Sequence, residues 1–477
     1  MAIILPKVIT ANLTDCILTQ IVEAIFLHLS RRDLRSCRFV NSLWNEEACR
    51  YFRRLCHIRL YDRNLANFER VLRNNTKLRL PNPFRQYRIS IRKLDDRNLT
   101  RILNCNTNAK AGVSSCTLVV SQTATNSYYQ KRLIELLESN AGFMDTLMFN
   151  MYRGIYLGYT SMDERKLPLL PCLRKMGIKS KARGTMIPQE SINFIAAIIN
   201  SAPELRHLEI TCDQEDVLTQ LLQQGNFPNL ESFHSEGLTF KQLDSLASVK
   251  FPMLTKLHLK YNDTTLIQEM MNPTKFCRLL VNFAGTLEEL SISWIGSQDR
   301  WNNNFPLCPR LKSLTLYLYE GTLAAINPVY LPVLETFSVI EYIEFQESTP
   351  SPHPNVKSFS IEDFSGMYFE DEFDTLVNYV DKQFPRLTSL SICMVLNDSS
   401  VRTIVTALPL LVKLQLRVGQ LVTEEAFTGV PLGIDIERHL RSGVDLKDMR
   451  VLPALVNMRC KCLRITETLH FNIFKTN

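Results

Sequence analysis

Four stretches decide how this chain folds: PMLTKLHL (residues 252–259), PRLKSLTL (309–316), PVLETFSV (332–339) and PRLTSLSI (385–392). Each reads Pro-x-Leu-x-x-Leu-x-Leu with conservative apolar replacements. Further copies stand at Pro203/Leu205/Leu208/Ile210, Pro228/Leu230/Phe233, Pro354/Val356/Phe359/Ile361 and Pro409/Leu411/Leu414/Leu416, with Gly285/Leu287/Leu290/Ile292 lacking only the proline. From residue 203 onward the copies start 25, 24, 33, 24, 23, 22, 31 and 24 residues apart. Weaker copies lie upstream at Pro171/Leu173/Met176/Ile178, Gly142/Met144/Leu147/Phe149, Ala111/Val113/Cys116/Leu118 and Asn82/Phe84/Tyr87/Ile89, and Pro453/Leu455/Met458 is a candidate last copy. Ten of the 21 prolines fall in this one phase, which chance does not arrange.

The last two apolar residues of a phrase alternate at period two, so each phrase predicts a short strand with those residues inward and their neighbours facing solvent. Between phrases run helical stripes such as Ile192/Ile195/Ile199, Val217/Leu218/Leu221/Leu222, Phe373/Leu376/Val380 and Val401/Ile404/Val405/Leu408. A strand plus one helix cannot bury its own apolar face. Stacked neighbours close the core, giving an α/β solenoid, a horseshoe with a parallel concave sheet and convex helices. The period resembles that of leucine-rich repeats. Asn262 alone occupies the turn position where many such repeats carry asparagine, so the array resembles the irregular kind.

The N-terminal reading rests on ILTQIVEAIFLHLSRRDLRSCRFVNSLW (17–44). Ile17, Ile21, Val22, Ile25, Phe26 and Leu29 recur at helical spacing, and Ser30 stands where that stripe stops. Asp33 is placed to cap a second helix that shows Leu34, Cys37 and Val40 on one face and finishes with Leu43 and Trp44; a third short helix follows to about Cys56. Three short helices in so few residues bury little by themselves, so part of their apolar surface is expected to be covered by a partner or by the next domain. The pattern resembles the F-box, matching at Ile21, Val22, Ile25, Phe26, Leu29, Ser30, Asp33, Leu34, Cys37, Val40 and Trp44. It departs where Ile17-Leu18 replaces Leu-Pro and Gln20 replaces Glu. The resemblance implies docking on a Skp-family adapter of a cullin complex through Leu18, Ile21, Val22, Ile25, Leu29, Leu34, Val40 and Trp44. The expected organisation is a leader (1–12), the F-box (13–60), a connecting segment (61–80), about 13 irregular repeats (81–425) and a C-terminal repeat or cap (426–477).

Composition agrees with a large buried core: 477 residues, 45% hydrophobic and 22% charged. No apolar run approaches the length of a membrane span and no secretion signal opens the chain, so a cytoplasmic or nuclear setting is expected. The 13 cysteines form neither a CxxC pair nor a regular framework and read as reduced core thiols. Charge is uneven: residues 1–101 hold 20 Lys+Arg against 9 Asp+Glu, or +11, whereas the remaining 376 hold 35 against 39, or −4. A basic N-terminal segment on a near-neutral body points to one acidic partner at that end. Nucleic acid is the alternative partner, through Arg31, Arg32, Arg35, Arg38, Arg50, Arg53 and Arg54, but only Tyr51 and Phe52 offer bases a stacking surface.

No dinucleotide, phosphate-loop, zinc-peptidase or nucleophile-elbow motif is present, so neither catalysis nor a cofactor is expected. His234 and His258 share one outward position in successive repeats, and His207 lies two residues before it in the repeat upstream. Such a ladder could hold a metal, but no carboxylate or cysteine completes a shell at that level, and solvated polar residues are the reading adopted. The residues His207, Glu209, His234, Lys256, His258, Lys260, Tyr317 and Tyr319 are the expected target-binding surface, with Tyr261, Trp294 and Tyr319 just past the strands as a rim. Large amphipathic side chains on an open sheet suit protein recognition. Together with the F-box resemblance this implies a non-catalytic substrate receptor of an SCF-type ubiquitin ligase. A protein-binding scaffold with no ligase role is the alternative.

Overall fold

The structure, a computed structural model, describes residues 25, 33, 36–37, 40, 44, 57–61, 64–77, 86–91, 101, 115–120, 127–151, 167–180, 187–212, 214–238, 240–261, 273–295, 306–319, 321–323, 327–340, 343–345, 351–362, 370–393, 397–418, 435–440 and 463–464. The chain forms two compact units, Met1–Asn229 and Leu230–Asn477.

In the first unit β1 (His57–Leu60), β2 (Gln86–Ile91), β3 (Ser115–Val120), β4 (Met144–Met151), β5 (Lys175–Ser180) and β6 (His207–Cys212) pair in chain order, every pair parallel. Helices α1 (Leu65–Lys77), α2 (Ser127–Asn140), α3 (Gln189–Asn200) and α4 (Glu215–Gln224) follow β1, β3, β5 and β6. The upstream phrases are therefore strands, and their apolar residues are core: Met144, Leu147, Phe149, Leu173, Met176 and Ile178 are fully buried. The sheet also reaches further towards the N-terminus than the phrases indicate, because β1 pairs with β2 and α1 occupies the segment expected to be a connector. On α1 the buried carboxylate of Glu69 is neutralised by Arg73 one turn on and by Arg101 at 3.9 Å.

The second unit continues the same plan with β7 (Ser232–Leu238), α5 (Phe240–Ser248), β8 (Lys256–Tyr261), α6 (Pro273–Phe283), β9 (Glu289–Ile295), β10 (Ser313–Tyr319), β11 (Gly321–Leu323), β12 (Thr336–Ile340), β13 (Ile343–Phe345), β14 (Ser358–Glu362), α7 (Glu370–Gln383), β15 (Ser389–Cys393), α8 (Asp398–Ala407), β16 (Lys413–Val418), β17 (Asp435–Leu440) and β18 (Leu463–Arg464). All but β11 and β13 pair in order in a parallel sheet; those two form a small parallel sheet of their own. The expectation of a helix in every repeat is corrected here. Among the described residues no helix lies between β9 and β10, β10 and β12, or β12 and β14. Between β10 and β12 the described residues 327–335 are instead occupied by turns, two of them opened by Pro328 and Pro332. The candidate last phrase at Pro453 lies outside the described residues.

The repeated proline has a structural meaning that the spacing alone did not reveal. In most of the proline phrases the N–H of the first apolar residue donates to the carbonyl of the residue before the proline, as in Leu254 to Phe251 (3.2 Å), Leu311 to Cys308 (3.3 Å), Leu334 to Leu331 (3.2 Å) and Leu387 to Phe384 (3.0 Å). This is a β-turn with proline at its second position, where a φ near −65° is wanted and no N–H is needed. The third turn residue projects outward, which accounts for the exposure of Met253, Val333 and Leu410. The first points inward, so Phe251, Cys308, Leu331, Phe384 and Leu408 form an additional buried column. Rings pack against it: Phe251 stacks on Phe233 at 5.8 Å and lies tilted 5.7 Å from Phe283, and Phe384 lies tilted 5.3 Å from Phe359 and edge-on 6.0 Å from Phe337.

Register between repeats is set just after the turn. Two successive N–H groups of one repeat share a single carbonyl of the repeat before: Thr255 and Lys256 donate to Glu231, Glu288 and Glu289 to Thr255, Lys312 and Ser313 to Glu288, and Glu335 and Thr336 to Lys312. The series goes on through Lys357 and Ser358 to Glu335, then Thr388 and Ser389 to Lys357. Equivalent residues therefore stand side by side with no stagger, and side chains at one phrase position form straight rows across the sheet.

Candidate functional site

Within the second unit the inward strand positions pack beneath the sheet, and the alternate positions line its open face. In β8, Leu257 and Leu259 are buried while Lys256, His258 and Lys260 are not. One row runs Lys256, Glu289, Ser313, Thr336, Ser358, Ser389, Lys413; the next runs His234, His258, Ser291, Thr315, Ser338, Ser360, Ser391, Gln415. A third contains Glu236 beside Lys260, and Tyr317 beside Ile340 and Glu362.

Polar residues of β7, β8 and β9 form one connected cluster, and Lys260 and Tyr317 make a separate contact. The His234 and His258 rings stack at 5.7 Å with planes 22° apart. Glu289 bridges β9 back to β8, its carboxylate taking Lys256 Nζ at 2.7 Å and facing His258 Nε2 at 3.2 Å. His234 Nε2 lies 3.4 Å from Glu236. Lys260 reaches past β9 to place its ammonium 5.6 Å from the centre of the Tyr317 ring, within cation–π range. Burial pushes the His258 imidazole below its ordinary pKa; Glu289 opposes that shift, while His234 and Lys256 add to it. Hydrogen bonding to the same carboxylate raises Lys256.

Six of the eight expected target-binding residues thus belong to this unit: His234, Lys256 and His258 join Glu289 and Glu236 in one cluster, and Lys260 meets Tyr317. Glu289 occupies an outward position of β9, but its bridging role depends on register between strands and has no local signature. His207 and Glu209 lie in the other unit on β6, where Glu209 pairs with Lys179 of β5 at 2.6 Å. The sixth, Tyr319, is the last residue of β10, Tyr261 the last of β8, and Trp294 lies inside β9. The expectation that Tyr261, Trp294 and Tyr319 sit just past the strands is corrected, because the strands run on to six or seven residues and include all three.

Of the expected adapter-binding residues, Ile25 and Val40 are 40% and 59% exposed and Trp44 is half-buried. Cys37, read as a residue of the same face, is buried. Leu18, Ile21, Val22, Leu29 and Leu34 lie outside the described residues. Among the described residues no group of three or more His, Cys, Asp or Glu side chains could hold a metal ion, and no helix is long and apolar enough to cross a membrane. The Cys308 thiol is pushed up to about 12 by burial, with Cys277 adding to the shift; a thiol held protonated in this way is a poor nucleophile.

The arrangement is that of an α/β repeat fold with a parallel sheet, consistent with a solenoid, whose second unit carries a polar sheet face. No protein-family profile matches the sequence, and no curated protein matches it. Among solved structures, a Bacteroides fragilis protein determined by a structural genomics consortium is similar over 78% of this chain and 81% of that chain, at 12% identity and a TM-score of 0.25.

Proposed function

We propose that the chain is the substrate-recognition subunit of a cullin-RING ubiquitin ligase of the SCF type. The F-box-like segment docks on a Skp-family adapter, and the open sheet face of the repeats holds a target protein. The observation that carries the reading is the correctly spaced run from Ile21 to Trp44 standing directly ahead of a repeat array. Exposure of Ile25 and Val40 supports it, since exposed branched apolar side chains on so small a helical segment are what a docking surface requires. The subunit contributes proximity rather than chemistry, because ubiquitin transfer belongs to other members of such a complex.

The test is co-purification of the full chain with the adapter, with and without residues 13–56. Capture in the first case and its loss in the second are expected; capture by residues 81–477 alone overturns the reading. Changing Lys256, His258 and Tyr317 together to Ala lowers target ubiquitination and leaves adapter capture intact. The second reading, a protein-binding scaffold without a ligase role, is favoured by the departures at Ile17, Leu18 and Gln20. It predicts target capture with no adapter in the complex.

A further inference from the structure

His234 and His258 are register partners on β7 and β8 whose rings stack at 5.7 Å, and each ring sets its Nε2 against a different carboxylate. His234 faces Glu236 of its own strand at 3.4 Å, and His258 faces Glu289 of β9 at 3.2 Å. Glu289 gives His258 its Oε1 and keeps Oε2 for Lys256. Within this unit the other charged groups facing the pair are Lys256 and Lys260 of β8, the second with the Tyr317 ring of β10 beyond it; Ser291 of β9, in register with His258, is uncharged. Two carboxylates and two ammonium groups cancel, so with both rings neutral the patch carries no net charge. Side-chain exposures of 38% and 28% leave both rings within reach of protons from solvent.

We infer that this pair is a proton-operated switch on the open sheet face: a closed stack on a neutral patch above the histidine range, and separated rings on a patch two charges more positive below it. The inference goes beyond the receptor reading and holds whichever protein uses the face. Neutral aromatic rings at this separation attract one another. One proton is tolerated, because the charged ring has its own carboxylate and its neighbour stays neutral. A second puts two like charges a ring's width apart at a half-exposed site, where their repulsion is only partly screened. Each imidazolium then gains more by closing on its own glutamate than by keeping the stack. Histidine is the side chain that makes such a change between about pH 5 and 8. Burial holds His258 below its ordinary pKa; Glu289 opposes that, while His234 and Lys256 add to it, so each ring's proton is felt by the other. Groups coupled in this way titrate as a pair, in two steps.

The experiment is an NMR titration of the full chain carrying 13C-labelled histidine, from about pH 8 to pH 5, with the ring signals assigned by His234→Phe and His258→Phe. The pair is expected to titrate in two steps at least about one pH unit apart. The ring-to-ring NOE present at the start should be gone at the acid end. His234→Phe keeps a ring that stacks but takes no proton, so His258 should then titrate in one step at higher pH. Single-step titration of both rings, unmoved by His234→Phe, overturns the inference, and so does a ring-to-ring NOE that survives with both rings charged. Should circular dichroism show His234→Phe unfolded, the same rise is read at His258 in His234→Asn. The series is repeated on His353→Leu, so that the buried histidine does not enter the acid limb. The consequence for binding is read with a 12-residue oligo-aspartate probe between about pH 7.5 and 5.5. Its affinity should rise at least about threefold more for the unaltered chain than for the His234→Phe/His258→Phe double variant; equal gains in the two proteins would contradict the switch.

Discussion

Glu289 on β9 and His258 on β8 face each other at 3.2 Å across one strand interval, and the same carboxylate holds Lys256 at 2.7 Å. One acid thus serves two bases, and both are tied to its charge. Replacing Glu289 by Gln removes the influence that opposes burial at His258 and the one that raises Lys256. Both groups are therefore expected to titrate at lower pH in the variant. An NMR titration of the His258 ring measures it; an unchanged or raised value would contradict the bridging geometry.

His353 occupies the buried pre-proline column, where the other repeats place Phe, Leu, Cys or Ala. Its Nε2–H donates to the Leu331 carbonyl at 2.9 Å, its backbone N–H donates to Gln383, and Nδ1 has no partner among the described residues. Burial lowers its pKa, as it does that of His258. Below the unfolded histidine value, near pH 6.5, the unfolded chain binds protons that the folded one does not. Stability is thus full above that pH and falls as acid is added towards the folded pKa, by up to about 1.4 kcal/mol per pH unit for each histidine. Urea midpoints between pH 7.5 and 5 should show this decline, and His353→Leu, which fits the column and carries no titratable nitrogen, should flatten it.

Gly237 has φ of 83° and lies where β7 shifts register against β8 between Glu236 and Leu238. The extra residue resets the alternation so that Leu238 is buried at 1% exposure. A side chain there meets the left-handed penalty, so Gly237→Ala is expected to cost about 1–2 kcal/mol. Gly237→Asn should cost less, because Asn visits that region more readily. Denaturant midpoints of the two variants give the comparison.

Phe337 stacks on Phe359 at 5.6 Å and meets Phe384 edge-on at 6.0 Å, all three fully or almost fully buried. Phe337→Ala is expected to destabilise by about 3–5 kcal/mol. Because repeats touch only neighbours, amide exchange should rise most in β10, β12 and β14 and little in β4 and β5. Uniform loss of protection would mean that cooperativity is longer-ranged than the repeat plan implies.

Ile25 and Val40 are exposed, so changing either to Asp should leave the fold unaffected. Under the receptor reading each change puts an unpaired charge into a dry contact and should weaken adapter capture by tenfold or more, about 1.4 kcal/mol at least. Full capture by both variants would remove these two residues from the docking surface.

Sequence alone determined the strands that carry the phrase, their parallel pairing order and the identity of most of their core residues; β1, β11, β13, β17 and β18 carry no phrase and were not legible in it. The reason is physical: a repeat that cannot bury its own face must repeat its apolar phase, and Leu254/Leu257/Leu259 or Leu311/Leu314/Leu316 carry that phase in eight residues. The outward positions of His234, His258, Lys256 and Lys260 followed from the same alternation. What the tertiary structure decided depends on residues far apart in the chain. The role of the proline became visible only with the turn hydrogen bond, and the buried place of His353 only with its neighbours from adjacent repeats. Strand ends at Tyr261, Trp294 and Tyr319 depend on how far the ladders continue. Most of all, the Glu289 bridge, the Lys260–Tyr317 contact and the straight rows of hydroxyls require zero stagger between repeats. That register comes from pairs of N–H groups sharing one carbonyl of the repeat before, a backbone interaction that leaves no mark on the order of side chains.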